Sequence, residues 1–146
     1  IFLSVTNRTR DGWLRSRDVS SIPCDVLIEI DDLWRQASKG KFGLSAQKQV
    51  WIGCGCGIEQ FTTEAFRNFG EEVGWFSYEN NQWLKDHEDF SFSLDAQRGH
   101  LPSLKMPLNG DQMNWWTSWQ QIFRFTHFHS KSLSGKDSLK RTGYRL

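Results

Sequence analysis

Apolar positions recur at helical spacing over three stretches of this chain. From Pro23 to Gly40, Val26, Ile30, Leu33, Trp34 and Ala37 fall at i, i+4, i+7, i+8 and i+11. That spacing predicts one amphipathic helix, with Asp25, Glu29, Asp31, Asp32 and Arg35 mostly turned outward. Pro23 suits the first helical position, where its missing N–H would have no partner anyway. Gly40 supplies a left-handed stop. A second helix is expected after Ser45 as its cap, with Val50, Trp51 and Cys54 on one face and Gln47, Lys48 and Gln49 largely elsewhere. The glycine-rich run Gly53–Gly57 ends it. A third is expected from about Thr63 to Phe69, burying Phe66 and Phe69 and broken by Gly70, with Val73-Gly74-Trp75 following as an apolar anchor.

From Phe76 to Pro102 the helical periodicity fails. Phe90-Ser-Phe-Ser-Leu94 alternates like a strand, but no second run of similar quality offers it a partner. A lone strand cannot satisfy its own ladder, so this stretch is expected to be an extended loop held by packing. Long loops inside compact domains are disproportionately functional, and this one carries Trp83, Phe90 and Phe92. After Pro107 and Gly110, Trp115, Trp116, Trp119, Ile122 and Phe123 form an aromatic stripe at helical spacing. Such a stripe packs into a core or lies against a membrane surface or partner. Beyond Ser130 the composition turns to Ser, Gly, Lys and Arg. The expected architecture is all-α: a compact helical domain over residues 1–128 with long irregular loops forming a ligand groove, then a polar basic tail over 129–146.

Composition sharpens this picture in two ways. The 146 residues carry 18 Lys and Arg against 17 Asp and Glu, a net charge of +1 that gives no electrostatic case for nucleic acid. Eight Trp and eleven Phe, beside only two Tyr, imply a heavy aromatic core, an aromatic-lined binding site, or both. No stretch approaches the ~20 apolar residues of a membrane span.

Catalytic patterns are missing. The chain has no Gly-x-Ser-x-Gly elbow, no phosphate-cradling glycine loop and no Cys–His pairing in a credible setting. Cys24, Cys54 and Cys56 are an odd number, which suggests a reducing compartment, and Cys54-Gly-Cys56 lacks the two-residue spacing of zinc and redox motifs. His100 could ligate a metal, but ahead of Leu101-Pro102 its ring is better read as bonded to backbone. On a helix His127 and His129 would sit about 200° apart, too far to share an ion. Glu71-Glu72 and Glu88-Asp89 read as solvated surface. A binding module, not an enzyme, is expected.

Several blocks resemble a known family in a fixed order. Gly12-Trp-Leu-Arg15 looks like its opening; Ile22-Pro-Cys-Asp25 and Ile30-Asp-Asp-Leu-Trp34 are similar to its first long helix. Gly40-Lys-Phe-Gly-Leu-Ser-Ala-Gln-Lys48 with Trp51 resembles its most recognisable block. Phe69-Gly70, Val73-Gly-Trp75, Trp83, Phe90–Leu94 and Ala96-Gln-Arg-Gly-His-Leu-Pro102 follow. Each is weak alone; their order and spacing over residues 12 to 102 are not. The family is the genomes-uncoupled tetrapyrrole-binding proteins of oxygenic phototrophs. The resemblance implies an all-α fold, non-covalent binding of protoporphyrin IX and Mg-protoporphyrin IX without any intrinsic cofactor, and no catalysis. It also implies stimulation of magnesium chelatase in chlorophyll biosynthesis through the large subunit of that enzyme. The expected location is a plastid, in the stroma or at thylakoids, or a cyanobacterial cytoplasm. The family domain opens with further helices, so an N-terminally truncated domain is expected.

A porphyrin is a rigid apolar disc with two propionates on one edge, so its site needs apolar walls and a cationic rim. The walls are expected from Phe42, Leu44, Trp83, Phe90, Phe92 and Leu94, and the rim from Lys41, Arg98 and Lys105. For each aromatic the competing reading is ordinary core packing. Lys105 stands alone after the Leu-Pro pair, which leaves open a second reading: a protein- or membrane-interaction module that keeps the fold and has lost the tetrapyrrole.

Overall fold

The computed structural model describes residues 2–11, 16–57, 62–84 and 87–103. Its elements run α1 (Phe2–Val5), α2 (Ser16–Val19), α3 (Cys24–Ser38), α4 (Leu44–Gly53), α5 (Thr63–Glu72), β1 (Phe76–Ser77), β2 (Gln82–Trp83) and a single 3₁₀ turn (His87–Asp89). The fold is helical, as expected. The aromatic stripe at 115–123, His127, His129, Lys105 and the basic tail at 129–146 lie outside the described residues.

Helix α3 forms where its pattern predicts, but its buried face is turned by one residue. Leu27, Ile30, Asp31 and Ser38 are buried, whereas Leu33 is 56% exposed and Ala37 is also exposed. One residue is about 100° around a helix. Two polar side chains account for the turn. Ser38 Oγ donates to the Trp34 carbonyl (2.6 Å) and accepts from the Phe42 N–H (2.8 Å), and so folds the chain back after the helix. Asp31 reaches across to the next helix and is not a solvated residue. Lys39 (φ 53°) and Gly40 (φ 80°) then make the expected left-handed exit.

Helix α4 is capped from outside itself. Ser45 is not its cap; the Asp31 carboxylate accepts from the Ser45 N–H at 2.9 Å and from its hydroxyl. This places a negative group at the positive end of α4 and satisfies one of its free N–H groups. Gly43 makes room, since a Cβ there would lie 2.6 Å from Asp31 Oδ1. Asp31→Ala should therefore lower stability by about 1–2 kcal/mol, the usual cost of a lost cap. Thermal or urea melts of both chains would check this, and a loss under about 0.3 kcal/mol would contradict it.

Helix α5 starts as expected, with Thr62 Oγ1 accepting from the Ala65 N–H at 3.1 Å. Gly70 does not break it; the helix runs on to Glu72. The glycine is there because the indole of Trp83 rests on it, and a Cβ would meet that ring at 2.5 Å. Phe76–Ser77 and Gln82–Trp83 pair antiparallel, a short hairpin that the periodicity did not reveal and that brings Trp83 over α5. Trp83 then stacks between Phe66 (4.8 Å between centroids) and Phe76 (4.9 Å).

The main core joins α4 and α5 through Trp51, Phe66, Phe69 and Trp75, with edge-on ring contacts of Trp51 to Phe66 and Phe69 at 5.9 and 5.2 Å. A second, smaller cluster of Phe42, Ala96 and Leu101 lies beside Trp34. Phe90–Leu94 has no strand pairing, in keeping with an extended loop.

Candidate functional site

Two irregular segments are joined to each other and to the core: residues 41–43, between α3 and α4, and residues 90–102. The Gly99 N–H donates to the Lys41 carbonyl and the Gly43 N–H to the Leu101 carbonyl, both at 2.9 Å. The Lys41 ammonium donates to the Leu94 carbonyl at 2.5 Å. Gln47, fully buried on α4, sends its amide hydrogens to the carbonyls of Gly99 (2.9 Å) and Pro102 (2.7 Å). Gly99 sits at φ 78° with its Cα against α4, where a Cβ would lie 3.3 Å from Gln47 Cα. Only glycine adopts that backbone without strain at so close an approach.

His100 is the second pin. The Ser91 N–H can only donate, and it points at His100 Nε2 from 3.0 Å. Nε2 is therefore the acceptor, and the ring proton sits on Nδ1, directed at the Val73 carbonyl 2.7 Å away. Both ring nitrogens are engaged with backbone, which leaves neither for a metal. Among the described residues no group of three metal-ligating side chains occurs. Trp75 completes the joint, its indole N–H donating to the His100 carbonyl at 2.8 Å.

Of the nine residues expected to line a site, the eight that the structure describes are spread over the core, the loop and a cleft at the hairpin. Leu44 is fully buried in the main core, and Phe42, equally hidden, packs edge-on against Trp34 at 6.3 Å. Phe90 is half-buried against Trp75 (6.2 Å) and His100 (5.5 Å). Trp83 faces elsewhere, lining an open cleft of about 460 Å³ with Phe76, Ser77, Gln82 and Asp89. Phe92 and Leu94 stand out from the loop, 60% and 61% exposed. Lys41 and Arg98 come to the same joined segments, and the Arg98 guanidinium bonds the Gln49 side chain. Lys105 lies outside the described residues.

Reasoning from sequence missed Asp31 and Gln47, although the signal for Gln47 is present. Gln47, Val50, Trp51 and Cys54 fall at i, i+3, i+4 and i+7, which is one helix face. Cys54 and Cys56 offer little nucleophilicity. Burial, with the nearby Cys54 second, pushes the Cys56 thiol up to about 12, and burial with the charge of Glu72 also raises Cys54.

These features define a helical domain whose exposed apolar loop is held by hydrogen bonds to its main chain. A family model described as GUN4-like matches residues 1–120, and the chain belongs to that family. A ycf53 protein of Pyropia yezoensis is 33% identical over 102 residues, covering 70% of this chain and 39% of the relative. The chloroplastic tetrapyrrole-binding protein of Arabidopsis thaliana is 27% identical over 109 residues, covering 70% of this chain and 38% of its own length. The chain thus spans about two fifths of these relatives. GUN4 of Chlamydomonas reinhardtii superposes with a TM-score of 0.60 at 25% identity, over 84% of this chain and 68% of that one. Ligand-free GUN4 of Arabidopsis thaliana shares the fold, with a TM-score of 0.60 at 23% identity, over 84% and 77%.

Proposed function

We propose that this chain is a non-catalytic domain that binds protoporphyrin IX and Mg-protoporphyrin IX on the joined loops. One observation carries the reading: the 90–102 segment is fixed to the 41–43 turn while Phe92 and Leu94 remain exposed, with the Lys41 ammonium on the Leu94 carbonyl and Arg98 later in the same segment. Apolar side chains of that kind cover a flat macrocycle, and the two cations suit its carboxylate edge. The Trp83 cleft is a poorer place for such a ligand, because Asp89 lines it and repels propionates. Phe42 and Leu44 would support the turn from beneath without touching the ligand. The name of the Arabidopsis relative supports tetrapyrrole as the ligand class.

The finer reading follows the family resemblance. The bound porphyrin would let the protein stimulate magnesium chelatase through its large subunit, in a plastid or a cyanobacterial cytoplasm. Any peripheral membrane contact would fall to the 115–123 stripe; among the described residues no helix is long and apolar enough to cross a membrane.

Titration with water-soluble deuteroporphyrin IX tests the binding. The expected result is a saturable Soret shift with tryptophan quenching. The double variant Phe92→Asp/Leu94→Asp should weaken affinity at least about tenfold, or 1.4 kcal/mol. Both positions are exposed, so its melting temperature should barely move. Linear, non-saturating quenching would overturn the reading.

A further inference from the structure

We infer that Gln47 is a positioning residue: it sets tetrapyrrole affinity by holding the 90–102 segment in its binding shape, without touching the ligand. This inference rests on the proposed site. Gln47 is 0% exposed, and both hydrogens of its side-chain amide are spent on the loop carbonyls of Gly99 and Pro102. Its own Oε1 is buried and has no hydrogen-bond partner among the described residues. An unpaired buried oxygen is a steady cost, and a methionine of similar volume would fill this place without it. What the amide offers that an apolar side chain cannot is a two-point grip on backbone that has no other regular structure.

The grip is connected to the exposed wall by a short path. Gly99, held by Gln47 through its carbonyl, donates its N–H to the Lys41 carbonyl, and the Lys41 ammonium bonds the Leu94 carbonyl. Releasing the Gly99 and Pro102 carbonyls removes two of the bonds that hold one end of the segment carrying Phe92 and Leu94, and loosens that end. The binding-competent shape is then a smaller fraction of the population, and apparent affinity falls by that fraction. Contacts inside the complex that does form are unchanged.

Two variants of the full chain test this, with deuteroporphyrin IX as probe. Gln47→Met removes both donors while keeping volume. It should raise Kd about tenfold, leave the Soret maximum of the saturated complex unmoved, and speed hydrogen exchange in 90–102 but not in α3 or α5. Gln47→Glu faces two carbonyls with a carboxylate and should lose affinity at neutral pH. As pH falls the carboxyl gains a proton and can donate again, so this variant should recover affinity relative to the parent chain at each pH. A buried carboxylate also costs fold stability while it is ionised, so melts at each pH separate the two roles: a role in stability alone makes affinity follow the folded fraction, whereas a positioning role lowers affinity while the chain is still folded. Parent-like affinity in both variants, or loss from Gln47→Glu that is independent of pH, overturns the inference. Failure of the parent chain to bind saturably is a different outcome. It rejects the porphyrin reading and the affinity role together, and the exchange pattern then shows only whether Gln47 anchors the loop.

Discussion

His100→Leu should lower stability by about 1–3 kcal/mol and weaken porphyrin binding with it. The ring is buried and bridges two backbone groups, accepting from the Ser91 N–H and donating to the Val73 carbonyl. A leucine fills most of the volume but leaves both groups without the ring: the buried Val73 carbonyl then costs about 1–3 kcal/mol, whereas the N–H of the exposed Ser91 turns to water and frees the loop. The two losses act on different elements. Val73 ends α5 and belongs to the main core, whereas Ser91 opens the loop that displays Phe92. Chemical denaturation should report the first loss, and hydrogen exchange at Ser91 together with porphyrin titration should report the second. A variant as stable as its parent, with slow exchange at Ser91, would show that neither bond matters.

Trp51→Ala is expected to be the most damaging single change, at about 3–5 kcal/mol. Trp51 is fully buried, meets Phe66 and Phe69 edge-on, and donates its indole N–H to the Gly57 carbonyl at 3.1 Å. Removing it opens a cavity where α4 and α5 meet and strands that carbonyl. For a domain of this size the loss should lower the melting temperature by roughly 10 °C or more. Gln47 lies one helical turn away on the same helix, so the variant should also loosen the 90–102 segment. A fall of less than about 1 kcal/mol would mean that the core repacks, and would contradict the reading of Trp51 as the joint between the helices.

Where side chains bury apolar area, the chain could be read directly. The positions of α3, α4 and α5 follow from spacing, and Phe66, Phe69 and Trp75 are core residues as their pattern implies. The ordered blocks led to the family. Polar residues that do structural work inside were harder to read. Asp31 and Gln47 were assigned outward because a charged or amide side chain is usually solvated. Each turns inward because a backbone group elsewhere needs a partner, and that partner lies 14 residues away for Asp31 and 52 or 55 away for Gln47. Helical periodicity is local and cannot see such distances. Gly70 shows the same limit: its lack of a side chain looked like a stop signal, but the cause is Trp83 arriving from the hairpin.

The described members of the expected lining lie apart for a related reason. Spacing along the chain does not tell which way a loop aromatic faces: the hairpin carries Trp83 onto α5, while Phe42 drops beneath the turn between α3 and α4. Only the structure separates a ring that faces solvent from one that holds the loop up. His100 was better placed, since a histidine ahead of a Leu-Pro pair was read as bonded to backbone, and its ring does bond the main chain on both sides.

The loop's attachments are made almost wholly to main-chain carbonyls, those of Lys41, Leu94, Gly99, His100, Leu101 and Pro102. A carbonyl is the same whatever residue bears it. Substitutions at the outward positions 92 and 94 can therefore accumulate without unpicking the anchorage. Directed libraries at these two sites should yield folded proteins at high frequency.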